Sequence, residues 1–131
     1  MMSVRDLERI KKFLPPALRR RLPPRISLIR ISEEYSRNLN RRYRKKDRAT
    51  NVLSFRYEDG EGEILLCVPV IRREAKRADS LLRYQMTWMI LHAMLHLAGM
   101  HHEKSRAAAR RFERKEDEIL QRLLTPGNYA D

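Results

Sequence analysis

The sequence predicts a single α+β domain, and three observations carry that expectation. Three short runs rich in β-branched and aromatic residues, near 25–32, 50–57 and 64–70, read as strands. A long helical stretch from about 80 to 98 is apolar nearly all round and so belongs at the centre of the molecule. At 131 residues the chain has the size of one domain and can bury a core without staples.

Residues 1–24 are expected to hold short helices. "MMSVRDLERIKKFL" is amphipathic and lacks the apolar core and small-residue site of a signal peptide. The pairs Pro15-Pro16 and Pro23-Pro24 confine any helix between them to a turn or two. "RISLIRIS" (25–32) then makes a strand, and Ser32, Glu33 and Glu34 start a helix over about 33–42. Its end runs into "RRYRKKDR" (41–48), six basic residues in eight. "TNVLSFRY" (50–57) alternates as a strand, the glycines of "EDGEGE" turn the chain, and the continuous apolar run "ILLCVPV" predicts a strand buried on both faces. Pro69 suits the first turn of a helix over about 69–78. Asp79 or Ser80 is expected to cap the long helix, whose apolar residues include Leu81, Leu82, Trp88, Met89, Ile90, Leu91, Met94, Leu95 and Leu97. Gly99 ends it. A last helix, about 104–124, puts Ala108, Phe112, Ile119, Leu120 and Leu123 on one side, and "TPG" stops it before a tail at 125–131.

The charge narrows the partners. Twenty-nine basic against 17 acidic residues leave +12, and the charged fraction is 35%. Such an excess points to a polyanion, either nucleic acid or an anionic membrane surface. The most apolar stretch, Met86 to Met100, is too short to span a bilayer. One cysteine, Cys67, can form no internal disulfide and fits a reducing compartment, so a cytoplasmic protein is expected. Cys67 itself reads as a small buried hydrophobe, and Trp88 and the methionines as core.

All four histidines lie in "HAMLHLAGMHH" (92–102). His92 and His96 are four apart on the long helix, so they share a face. Gly99 breaks the helix and lets His102 fold back as a third nitrogen donor. Three neutral ligands with a fourth position open is how catalytic zinc is held, although imidazole also suits nickel, copper and iron. His101 reads as a neighbour of the site or as solvent-facing, since its spacing from His96 is one short. The spacing H-x-x-x-H-x-x-G-x-x-H is that of metzincin proteases, but their glutamate base is replaced by Ala93, which disfavours a peptidase.

The same eleven residues resemble the H-G-x-L-H-L-x-G-Y-D-H signature of the YbeY endoribonucleases. "YRKKDRATNVLSF" (43–55) resembles that family's Y-R-x-K-D-x-x-T-N-V-L-S-F block, and "GEI" (62–64) stands where the family has G-D-I. The resemblance runs in order and spacing over about 26–124. Departures are Ala93 for Gly, Met100 for Tyr, His101 for Asp, Ala49 for Pro and Arg56 for Pro. The resemblance implies a small mixed sheet packed against a central buried helix carrying the metal ligands, a zincin-like arrangement, with the family core at 25–124. It further implies one zinc ion, or another transition metal such as nickel, on His92, His96 and His102. The implied activity is cleavage of single-stranded RNA in ribosomal RNA maturation and ribosome quality control, with the ribosome and its small subunit as partner and neither DNA nor membrane involved.

The family's functional arginine falls on Arg44. A guanidinium suits phosphoryl chemistry because its planar fork meets two phosphate oxygens and stays charged throughout. Arg41, Arg42, Lys45, Lys46 and Arg48 are expected to hold the RNA backbone, against the ordinary fate of a charge run as a solvated loop. Tyr35, Tyr43 and Tyr57 are candidates for stacking on bases. The leading expectation is therefore a metal-dependent endoribonuclease, with either water or the RNA 2′-hydroxyl as nucleophile. The alternative is a non-catalytic factor that binds ribosomal RNA and keeps the metal for structure.

Overall fold

A central strand hydrogen-bonded on both edges organises the molecule. The computed structural model describes residues 4–125, so the tail beyond Thr125 lies outside the described residues. The elements are α1 (Val4–Lys12), α2 (Pro16–Arg19), β1 (Arg25–Arg30), α3 (Glu33–Arg44), β2 (Val52–Arg56), β3 (Glu61–Leu66), α4 (Val68–Arg77), α5 (Leu82–Leu97) and α6 (Arg106–Leu123). The strand order is β1-β3-β2. β1 runs parallel to β3, with Leu28 opposite Ile64, and β2 runs antiparallel to it, with Ser54 opposite Ile64. The sheet is thus mixed, and the fold is a small α+β domain.

β3 earns its central place by composition: Ile64, Leu65 and Leu66 are all buried, as expected of a strand covered on both faces. α5 packs on β2 and β3 and is flanked by α1, α4 and α6. Ile90, Leu91, Met94 and Leu95 are fully buried, and one apolar cluster runs from Leu7 of α1 to Leu123 of α6. Trp88 is packed against that cluster but only half-buried. Cys67 is buried, and burial pushes its thiol pKa up, which leaves it inert. No helix among the described residues is long and apolar enough to cross a membrane.

Three boundaries differ from the sequence expectation, each for a local reason. β3 starts at Glu61, inside the glycine turn, and ends at Leu66: the Cys67 N–H makes one last bond across, to Asn51 O, and Val68 already opens α4. α5 is capped by neither Asp79 nor Ser80: its N-cap is Leu81, which makes no side-chain cap bond and is 72% exposed. Asp79 is spent on ending α4 instead. It sits in the left-handed region at φ 51°, and the Ser80 N–H reaches back to Ala75 O at 2.9 Å, the long backward bond that closes a helix.

Arg56, where the resembled family has proline, ties the sheet to the central helix. Its Nη1 donates to Leu97 O and to Arg21 O, both at 2.6 Å, and so satisfies a carbonyl at the end of α5. The Pro23-Pro24 pair lies close over β3. A Cβ on Gly62 would stand 2.9 Å from Pro23 Cγ, too near for either ring or strand to stay put. Gly62→Ala is accordingly expected to cost about 1–3 kcal/mol of stability, read as a lower urea midpoint at unchanged m-value.

Candidate metal centre and its cleft

Two backbone events bring the three histidines together. α5 is long enough to stack His92 and His96 on one face, one turn apart. It then closes with Gly99 in the left-handed region at φ 92°, the Gly99 N–H bonded to His96 O and the Met100 N–H to Leu95 O, both at 2.9 Å. That turn throws the chain back so that His102 returns to the helix face. Ring centroids are 4.9 Å apart for His92 and His96, 5.0 Å for His96 and His102, and 5.4 Å for His92 and His102. One nitrogen from each ring lies within 4.8 Å of the others. His101 is exposed, with its ring 5.8 Å from that of His96, and does not join the three.

The donor set fits a transition metal. Burial, reinforced by the neighbouring His92 and His102, pushes the His96 pKa down to about 4, so the ring is neutral and its lone pair free at ordinary pH. His92 Nδ1–H donates to Glu116 Oε2 at 2.7 Å, which leaves Nε2 as the donor toward the other rings. Phe112 is the common floor: its centroid is 4.9, 5.0 and 5.1 Å from those of His92, His96 and His102.

Glu116 is the residue that sequence reasoning missed. α6 turns an apolar side inward through Phe112, Ile119, Leu120 and Leu123, and Glu116 sits among them, only 8% exposed. A lone carboxylate four residues after Phe112 on that stripe was the available signal. Glu116→Gln keeps the shape but removes the charge that holds the ring, and is expected to lower metal affinity about tenfold with the melting temperature of the metal-free protein little changed. Competition with a chromophoric chelator checks the first part and thermal unfolding the second.

The histidines form one wall of a cleft of about 410 Å³. Arg44, the last residue of α3, lines it together with Thr50 just before β2, Val52 and Ser54 within β2, and with Ala93 and Glu103. Ala93 is buried, so no carboxylate follows the first histidine. The segment from Arg41 to Arg48 is exposed throughout. Within it Arg41 is partly committed, to Asp47 at 3.2 Å and Asn38 at 3.0 Å, whereas Arg42, Lys45, Lys46 and Arg48 extend the basic surface.

Two buried polar residues of α3 fix that segment, and neither was legible beforehand. Ser36 Oγ donates to Thr50 O at 2.8 Å and accepts from the Thr50 N–H at 2.9 Å. Asn40 Nδ2 donates to Arg48 O at 2.8 Å. Spaced four apart on one face, they clamp the far end of the basic loop onto α3. Tyr35, Tyr43 and Tyr57 are all exposed, but Tyr43 rests edge-on against Phe55 at 5.3 Å and the Tyr57 hydroxyl donates to Glu63 at 2.7 Å.

Comparison with known proteins agrees with this geometry. The family described as Endoribonuclease YbeY matches residues 5–124. The Endoribonuclease YbeY of Aromatoleum aromaticum is 43% identical over 103 residues, covering 76% of this chain and 66% of that one. That of Cupriavidus necator is 42% identical over 106 residues, covering 77% of this chain and 51% of its own length. The chain thus spans about half to two thirds of the length of these relatives. A Thermotoga maritima protein solved in solution shares the fold, with a TM-score of 0.59 at 22% identity, covering 100% of this chain and 92% of that one.

Proposed function

Because the chain belongs to the YbeY endoribonuclease family, we propose that it is a metal-dependent endoribonuclease that cuts single-stranded RNA in ribosomal RNA maturation and ribosome quality control. The observation that carries this reading is one cleft lined by both the three-histidine cluster and Arg44. The proposed ion is zinc, with nickel the next candidate, on His92, His96 and His102. When bound there it supplies a Lewis acid for a phosphoryl oxygen and for an attacking hydroxyl.

The rest of the work falls to the chain. Glu116 holds the His92 ring in one tautomer and orientation, and Phe112 packs all three rings against a rigid surface. Arg44 offers its fork to two phosphate oxygens and offsets the negative charge that grows as the phosphorus is attacked. Arg42, Lys45, Lys46 and Arg48, with a weaker share from the Asp47-paired Arg41, hold the backbone on either side of the scissile bond. Nothing in this set serves the peptidase reading, since Ala93 stands where such an enzyme needs its base. On this reading the protein acts in the cytoplasm, in contact with the small ribosomal subunit.

The deciding experiment is cleavage of an end-labelled single-stranded RNA by zinc-loaded protein beside a chelated control. Cleavage that disappears on chelation is the expected result, and the product ends identify the nucleophile: a 2′,3′-cyclic phosphate for the RNA hydroxyl, a simple phosphate for water. RNA bound but left whole by metal-loaded protein sinks the proposal in favour of a binding factor. Arg44 is exposed at a helix end, so Arg44→Ala is expected to lower kcat/KM by roughly a hundredfold without loss of folding, and Arg44→Lys to recover only part of it. Single-turnover rates on the same RNA measure both.

A further inference from the structure

The stripe of α5 that carries His92 and His96 does not stop at the histidines. Counting back from His92 by four and then three gives Trp88 and Gln85 on the same face. All three line a second groove, of about 1010 Å³, that lies along α5 and α6 and shares Asn51, His92 and His102 with the cleft of Arg44. Beyond His92, His102, Phe112 and Glu116 at its metal end, the proposed nuclease chemistry makes no use of it.

Gln85 is the telling residue. It is 6% exposed and lines the groove, and its amide, which makes no hydrogen bond to another described residue, is not sealed from solvent. A primary amide brings two donors and an acceptor, and here they stay open to whatever enters the groove. One turn along, Trp88 is half-buried in the groove wall and braced by Tyr84, the ring centroids 6.2 Å apart.

Charge says which part of a nucleotide belongs here. The arginines that α6 brings to the groove, Arg110 and Arg114, are matched by Glu113 and Asp117. The remaining carboxylates are Glu74, which accepts from Asn51 Nδ2 at 3.0 Å, and Glu116, which accepts from His92. With four carboxylates against two arginines the groove is acidic and does not attract phosphate, which has the basic side of Arg44 and the loop after it. An aromatic side chain beside an amide open to the groove suits an uncharged, flat, hydrogen-bonding ring.

We propose that this groove is a nucleobase subsite, in which an unpaired base next to the scissile phosphate stacks on Trp88 and is hydrogen-bonded at its edge by the Gln85 amide. The proposal rests on the RNA-cutting reading and adds to it a reason for single-strand preference, because a paired base cannot leave its stack to enter. Four residues of helix separate Trp88 from His92, about 6 Å along the axis, so the base and the phosphate under attack belong to adjoining positions of one strand.

Trp88 is the protein's sole tryptophan, so its emission reports on this groove alone. The test titrates zinc-loaded protein with a short single-stranded RNA made uncleavable by 2′-O-methyl and phosphorothioate substitution. Binding is followed in parallel by the anisotropy of a dye on the RNA end, and a strand of equal length without bases serves as control. Quenching of Trp88 that saturates together with the anisotropy, and is absent with the baseless strand, is the expected result. Gln85→Leu, similar in volume and checked by melting, is expected to weaken binding of the base-bearing strand about tenfold and leave the baseless strand unaffected. Binding by anisotropy with unchanged Trp88 emission, or equal quenching by the baseless strand, overturns the subsite and leaves the nuclease reading standing. No binding of either strand overturns the subsite too, and cleavage of ordinary RNA then decides the nuclease reading separately.

Discussion

His96→Ala is expected to lower RNA cleavage by roughly a thousandfold, to the level of the chelated protein, and to abolish tight metal binding at the same time. His96 is the middle member of the cluster: its ring is within 5.0 Å of both partners, whereas theirs are 5.4 Å from each other. It is also the ring whose pKa is pushed down to about 4, which keeps it free of a competing proton at neutral pH. Removing it leaves two donors, too few to hold an ion against water and buffer. The effect should be chemical and not structural, because the neutral imidazole contributes little to the core compared with the leucines on either side of it. Equilibrium dialysis, cleavage rates and a melting curve on one preparation check the three parts. Cleavage retained at even a tenth of the parent rate would remove the histidines from the mechanism.

Phe112→Ala is expected to show the largest loss of stability, about 3–5 kcal/mol, against the 5–15 kcal/mol typical of a whole domain. The ring is 1% exposed and lies under all three imidazoles, so its removal opens a cavity where α6 meets α5. The same cavity frees the rings to choose other rotamers. Metal affinity should therefore fall along with the urea midpoint, and added zinc should restore part of the stability by mass action. Phe112→Leu, which keeps most of the volume, is expected to recover the greater part of both. A variant that melts like the parent would mean that α6 is not what holds the cluster in place.

How much of this was legible follows from which physical signals are local. α5 could be read because its residues are apolar on every side and Gly99 marks its end without ambiguity. The meeting of His92, His96 and His102 followed from helix geometry and that one turn. The strands were legible as β-rich runs, but β3 is two or more residues displaced, since Glu61 and Gly62 belong to it only through pairing with β1 and β2. Asp79 shows the limit of capping rules: an aspartate between two helices can end the first or start the second, and the backward bond from Ser80 to Ala75 decides. Glu116 left only the faint signal of a carboxylate on an apolar stripe, and Ser36 and Asn40 left none, for a different reason. Each acts on a partner brought near only by the tertiary fold, and a single polar residue on a helix face does not announce which side of the face it lies on.

The turn at Gly99 carries one more consequence. The register between the second and third histidines of the cluster is set by main-chain bonds, from Gly99 to His96 and from Met100 to Leu95, and main-chain bonds are blind to side-chain identity. Met100 and His101, where this chain parts from the resembled signature, lie within that turn, the one only partly buried and the other exposed. The loop therefore tolerates a change of letter but not a change of count. A residue inserted or deleted between Gly99 and His102 rotates the third imidazole out of reach, whereas substitution at either intermediate position leaves the spacing of the three donors intact.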